Sequence, residues 1–387
     1  MKPKNPESAP AGDSFDCLIV GSGPAALLAA DFISREGFSV GVFERRPSLG
    51  WKLLVAGSSG LNVTHTGDDL APSYTHRKKE MAVCLSQFPP SAWLNYLHSL
   101  GQETFIGTSR RYFLQDKKAA KLLESWEERL RGQGVQFFYS QEFSDWQGQT
   151  ALFGETKVNF QTALLALGGV SWENSPPLWP KLLESKGLRL SPLAPANAGW
   201  ELDAPAVFFA KAEGMPLKGI KLTTAKGEKV GECMITHYGV EGTPVYSMGV
   251  EGMATFDLKP DITEESLAKK MGAKATVEKL KLSPGSVQFF QQFSLLKENF
   301  TPESLAHAVK NVSARLLRPR PLTESISSSG GLSWEELEDS LALKKFAHIF
   351  CAGEMIDWDA PTGGFLLQGS VSTAFMAAQG ILKKLRR

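Results

Sequence analysis

Apolar and polar positions change spacing along this chain, and each change marks a new element. Cys17-Leu18-Ile19-Val20 is a short continuous apolar run, as in a strand buried on both faces of a sheet. A helical pattern runs from Ala25 to about Glu36 and stops at Gly37, and Phe38 to Phe43 gives a second strand. Helical spacing returns at about 77–87, 90–100 and 116–132, and Val135 to Tyr139 reads as another parallel strand. The short runs TALFG and TKVNFQTALLALGG predict a small antiparallel meander that returns to the sheet. Between the second strand and these elements, residues 47–75 carry so much Gly, Ser, Thr and Asn that no regular structure is expected.

Pro176, Pro177, Pro180, Pro192 and Pro195 then mark a boundary. Gly199 to about Phe256 is strand-rich, and Thr263 to about Asn311 is mostly helical. The chain closes with a buried strand at Ile349–Gly353 and a helix from about Phe365 to Leu385.

The turn after the first strand adds chemistry. In Gly21-Ser22-Gly23-Pro24-Ala25-Ala26, Gly21 permits the tight strand-to-helix turn and Gly23 lets the backbone approach a pyrophosphate. Ala26 is the small residue where helix and strand pack closely, and the helix start offers free N–H groups to phosphates. Glu44, at the end of the second strand, can accept hydrogen bonds from a ribose diol. The order strand, turn, helix, strand, acid predicts an adenine dinucleotide and leaves FAD and NAD both open. The fold expected is α/β, a Rossmann-like dinucleotide domain built from both chain ends, residues 15–190 and 333–387. A β-rich, barrel-like domain is inserted at 191–260 and returns at 312–332, with a small helical domain at 261–311. Residues 1–14, polar and Pro-rich, are expected to be a disordered tail.

Charge and cysteine content narrow the picture. The 42 Lys+Arg balance 41 Asp+Glu across 387 residues, so no global field draws the chain to nucleic acid or membrane. Cys17, Cys84, Cys233 and Cys351 are scattered without a CxxC, which argues against a redox dithiol or a metal site. No signal-peptide core and no apolar run near the ~20 residues of a membrane span are visible, so a cytoplasmic protein is expected.

A second constellation, Cys351-Ala-Gly-Glu-Met-Ile-Asp-Trp-Asp-Ala-Pro-Thr-Gly-Gly-Phe365, places Glu354 and Asp357 after a strand and opens a helix after Thr362-Gly363-Gly364. Such acids suit a polyol chain and such a helix start suits an anionic ring edge, which a flavin has and NAD lacks. A third, Thr236-His237-Tyr238-Gly239-Val240-Glu241-Gly242, forms a tight turn that can present an imidazole for acid/base work or simply hold the turn.

With GSGPAA, KLLVAGSSGLNVTH, ITHYGVEGTPVY and AGEMIDWDAPTGGFLLQ, the chain resembles the HI0933-like FAD-dependent flavoproteins from Asp16 to the last helix. That resemblance implies FAD contacts from Gly21, Gly23, Glu44, Lys52, Val135, Gly353, Glu354, Gly363, Gly364 and Phe365. Pro24, Ala25, Ala26, Arg45, Asn62, Gly168, Asp357 and Thr362 are expected to join them. Many members read GGGRCN where this chain has Leu61 in place of the cysteine, so Asn62 and His65 are the polar groups left to face the ring. Asn62 and His65 can equally hold the glycine loop.

The expected function is hydride exchange between NAD(P)H, as a transient reductant, and a carbon–carbon bond of a small organic substrate. His237 is the candidate proton donor, with Tyr238 and His65 in reserve. Reduction of uridine in RNA is the alternative, with Arg110, Arg111, Arg315, Arg318 and Arg320 meeting phosphates. A flavin monooxygenase and a non-enzymatic FAD protein complete the set.

Overall fold

A computed structural model describes residues 14–387 except 58–59, 68, 108–109, 174–176, 273–274, 296–297 and 299. The expected tail therefore lies outside the described residues, apart from Ser14, which opens the first strand. The chain forms two compact units, residues 1–194 with 328–387, and residues 195–327.

The first unit is built on a sheet with strand order Gln136–Phe138, Val40–Phe43, Ser14–Val20, Thr156–Leu165, Thr150–Phe153, Asp145–Gln147. Ile349–Cys351 pairs in parallel with the second half of Thr156–Leu165. The strands from Gln136–Phe138 through to Thr156–Leu165 run parallel, and the hairpin 145–153 is antiparallel. The meander expected from the short alternating runs is this hairpin. Leu18, Ile19 and Val42 are wholly buried because helices cover the sheet. Helices Pro24–Ser34 and Phe365–Leu385 pack on one another.

By length and composition the helix Phe365–Leu385 could cross a membrane, contrary to the expectation that no such run exists. It is a core helix, mostly buried within its unit. Its polar residues are satisfied there: Gln368 donates to Phe88 O (3.0 Å) and accepts from Thr64 Oγ1 (2.8 Å), and Ser372 Oγ donates to Phe88 O (2.8 Å).

Residues 47–75 are more regular than their composition suggests. They hold a helix at Trp51–Ala56 and a strand at Asn62–His65, which pairs with Arg111–Leu114 and through it with Thr104–Ile106. Tertiary partners fix this strand: Trp93 Nε1 donates to Val63 O (3.0 Å). Local propensity loses to such contacts.

In the second unit a closed barrel has strand order Trp200–Leu202, Gly239–Glu241, Gly227–Ile235, Pro216–Thr224, Gly252–Asp257, Val312–Pro319. The sequence separates a β-rich module from a helical one at 260/261. One hydrophobic core runs through both, since Leu267, Phe289, Leu305 and Val309 pack with Leu217, Ile235 and Phe256 of the barrel.

Candidate functional site

The parallel strands Ser14–Val20 and Val40–Phe43 end side by side, and the chain leaving the first turns at Gly21, whose N–H donates to Phe43 O at 2.8 Å. Gly21 has φ +104°, and a Cβ there would stand 2.3 Å from Ala166 O, so the turn needs glycine. Gly23 is the opposite case. With φ −75° and ψ 177° it caps the helix Pro24–Ser34, and a Cβ on it would meet no atom within 4 Å. Open space thus lies in front of the helix start, where the Ala25 and Ala26 N–H groups have no intrahelical acceptor. Pro24 at the first helical position removes a donor that would be unpaired anyway.

Glu44 stands beside this opening. Ser22 Oγ donates to its Oε2 (2.6 Å), the Arg46 N–H donates to its Oε1 (2.8 Å), and Ser22 Oγ accepts from the Gly50 N–H (3.1 Å). Burial pushes the Glu44 carboxyl above its ordinary range, opposed by the Ser22 and Arg46 hydrogen bonds and then by the charges of Arg45 and Arg46. Each carboxylate oxygen keeps a lone pair for a diol. Arg45 and Arg46 grip Glu173 at 2.5 and 3.0 Å, and Arg46 lies 3.8 Å over the Trp51 ring. One cleft is lined by Gly21, Gly23, Pro24, Glu44, Arg45, Lys52 and Gly168 together with Gln141, Glu142, Phe143 and Trp179. The Trp179 indole N–H is buried with no acceptor among the described residues.

Lys52, on the helix Trp51–Ala56, donates to Gly169 O at 2.6 Å. Burial lowers its pKa and the Glu354 carboxylate opposes this, while burial raises Glu354 and Lys52 opposes in turn. Glu354 follows the strand Ile349–Cys351 through Gly353, whose φ is +81° and whose N–H donates to Thr373 Oγ1 at 3.0 Å. A Cβ on Gly353 would lie 3.3 Å from that of Ala25, so the two glycine turns sit together.

The start of the helix Phe365–Leu385 meets the strand Asn62–His65. Gly364 has φ +95° and room for no Cβ, which would stand 2.6 Å from the Thr64 backbone. The His65 ring stacks on Phe365 (4.9 Å, 20°), and its Nδ1 lies 2.8 Å from Thr66 O. Because a carbonyl only accepts, Nδ1 carries the proton and Nε2 is left free. The Asn62 Oδ1 is buried without a donor among the described residues. Gly364→Ala is expected to cost about 2–4 kcal/mol, from strain at positive φ and overpacking against backbone, as read by urea unfolding of the apoprotein.

Several expected contacts fall elsewhere. Val135 is buried in the core just before the strand Gln136–Phe138, whose far end pairs Phe138 with Phe43 next to Glu44. It lies at the wrong end of its strand, and Gln141 to Phe143 line the cleft instead. Asp357 is also committed, since its Oδ2 accepts from Ser191 Oγ (2.6 Å) and lies 3.8 Å from Arg77 Nε. Glu354 is the acid that remains. Ala26 is fully buried under the turn, and Thr362 precedes the paired glycines. His237 and Tyr238 belong to the second unit.

Of the arginines expected to meet phosphates, Arg318 and Arg320 are paired with Glu201 at 2.8 and 2.7 Å, and Arg320 also with Glu324. The cleft residues missed in the sequence, Arg46, Glu173 and Trp179, carry no local motif and are gathered only by the sheet ends.

Open space at Gly23, the available lone pairs of Glu44 and the orphan acceptor of Asn62 fit an FAD. The fold and cleft define a Rossmann-type flavoprotein. The chain belongs to the HI0933-like family, whose Rossmann domain matches residues 15–380. It is 25% identical to the 3-dehydro-bile acid delta(4,6)-reductase of Clostridium scindens over 412 residues, covering 95% of this chain and 98% of that protein. Among solved structures, it is similar to 3-ketosteroid delta1-dehydrogenase from Sterolibacterium denitrificans (TM-score 0.54, 13% identity), covering 96% of this chain and 100% of that one. It is also similar to a flavocytochrome c3 fumarate reductase (TM-score 0.54, 12% identity), covering 97% of this chain and 79% of that one. These two likenesses concern the fold.

Proposed function

We propose that this FAD-dependent oxidoreductase takes hydride from NAD(P)H and delivers it to a carbon–carbon double bond conjugated to a carbonyl in a small organic molecule. The end-to-end likeness to a named delta(4,6)-reductase carries this reading. FAD supplies hydride exchange at its N5. The chain's residues do the rest: Gly23 and the helix start hold the pyrophosphate, Glu44 the ribose diol, and Lys52 with Glu354 the polyol side of the cleft. Asn62 accepts from a ring N–H, and Gly363 and Gly364 bring backbone close to the ring edge.

Hydride added at the β carbon of an enone leaves an enolate that needs a proton at its α carbon. His237 is the proposed donor. It stands on a turn closed by Thr236 N–H to Gly239 O (2.9 Å), with its side chain 68% exposed and Nδ1 3.6 Å from Glu213 Oε1. Tyr238 is the weaker candidate, because burial and its hydrogen bond to Glu241 push its pKa up.

His237→Ala is expected to retain FAD and its reduction by NAD(P)H while slowing the oxidative half-reaction with conjugated cyclic enones about 10²–10⁴-fold. Stopped-flow absorbance of the two half-reactions reads both. An unchanged oxidative step removes His237 from the mechanism.

A further inference from the structure

The cofactor reading leaves one charged group unexplained. Arg111 opens the strand Arg111–Leu114 as the cross-strand partner of His65, so the two side chains share one face of that sheet. Its Nε lies 2.7 Å, and its Cζ 3.0 Å, from where a Cβ on Gly363 would stand. Gly363 has φ +113°, and only its missing side chain admits the guanidinium. Burial lowers the Arg111 pKa with no carboxylate to oppose it. Arg77, Arg129, Arg131 and Arg320 each hold an acid. The Arg111 side chain has no hydrogen bond, ion pair or ring contact with any described residue. A half-buried guanidinium with no acid among the described residues is poorly placed unless a ligand brings the negative charge. Among the described residues, the polar groups Asn62 Oδ1 and His65 Nε2 also lack partners.

We propose that Arg111 is the anion-binding residue of this site, its fork taking a planar anion beside the Gly363–Gly364 turn. The proposal rests on the FAD reading. Two sources carry that chemistry: the N1–C2=O edge of reduced FAD, and the carboxylate or enolate oxygen of an organic substrate. A planar fork suits either.

The test uses FAD-loaded wild type, Arg111→Met and Arg111→Lys, with sulfite and benzoate as probes. Sulfite adds to the oxidised ring and leaves it anionic, so its affinity reads charge stabilisation at the ring edge. Benzoate, followed by its perturbation of the flavin spectrum, reads a substrate-like carboxylate. If the ring edge is the occupant, Arg111→Met weakens sulfite tenfold or more and lowers the two-electron midpoint potential by about 30 mV per tenfold. Arg111→Lys then restores sulfite binding. If a substrate anion is the occupant, benzoate binding weakens tenfold or more while sulfite is unmoved.

Unchanged affinity for both probes in FAD-loaded Arg111→Met overturns the proposal. Should that variant not keep FAD, Arg111→Lys decides. FAD retained with wild-type sulfite affinity supports an anion site, whereas loss of FAD in both variants assigns Arg111 a structural role. Wild-type protein that holds no FAD refutes the cofactor reading instead.

Discussion

Gly23→Asp is expected to fold like the wild-type apoprotein and to purify without FAD. The position is unusual in separating cofactor from fold. Its φ is ordinary for any residue, and a Cβ on it meets no atom within 4 Å, so the fold has nothing to lose. The space it would enter lies in front of the helix start and beside Glu44. A carboxylate there faces the pyrophosphate charge. Two like charges about 4 Å apart at an effective dielectric constant of 20 repel by about 4 kcal/mol, roughly a thousandfold in affinity. The flavin-to-protein absorbance ratio and a titration of apoprotein with FAD read the loss, and the apoprotein Tm reads the fold. Wild-type FAD affinity in this variant would sink the placement of the pyrophosphate. Gly21→Ala makes the contrast, because its Cβ would strike Ala166 O and damage fold and cofactor site together.

That contrast also explains what the sequence could reveal. The turn Gly21 to Ala26 was legible because each residue answers a local demand: a positive φ, a free N–H, a small side chain against a strand. The sheet and its closing strand were legible for the same reason, as buried apolar runs. Val135 was misplaced because strand register, which decides the end of the sheet a residue occupies, is set by pairing with Val40–Phe43.

Glu354 and Asp357 are equivalent by composition. Only the structure turns one toward Lys52 and the other toward Ser191 and Arg77. Asn62–His65 hides in a glycine-rich stretch because Trp93, Gln368 and Arg111–Leu114 make it a strand. Arg111 was legible only as half of the basic pair Arg110-Arg111, one cluster among several. Its distinguishing property, the lack of a partner among the described residues, exists only in three dimensions.

Glu44→Gln is expected to weaken FAD binding about 10–100-fold while making the apoprotein less sensitive to rising pH. A hydrogen bond to a charged group contributes about 1.5–3 kcal/mol, and the glutamine offers the ribose diol a neutral acceptor. The stability effect has the opposite sign. Burial holds the folded-state pKa of Glu44 above its ordinary 4.5. Between those two values the folded chain binds more protons than the unfolded chain, so stability falls as pH rises through that window. The penalty is absent below 4.5 and persists in full above the folded-state value. A glutamine never ionises, and its amide can still take the Arg46 N–H on its oxygen while its NH₂ donates to Ser22 Oγ. Glu354 is raised by burial in both proteins, so the difference between their pH profiles isolates Glu44. Urea unfolding of both apoproteins from pH 5 to 8 is therefore expected to show curves that diverge upward with pH, the variant being the more stable. Parallel curves would mean that the carboxylate is not penalised by its burial, and the trade between apoprotein stability and ribose binding at Glu44 would have to be given up.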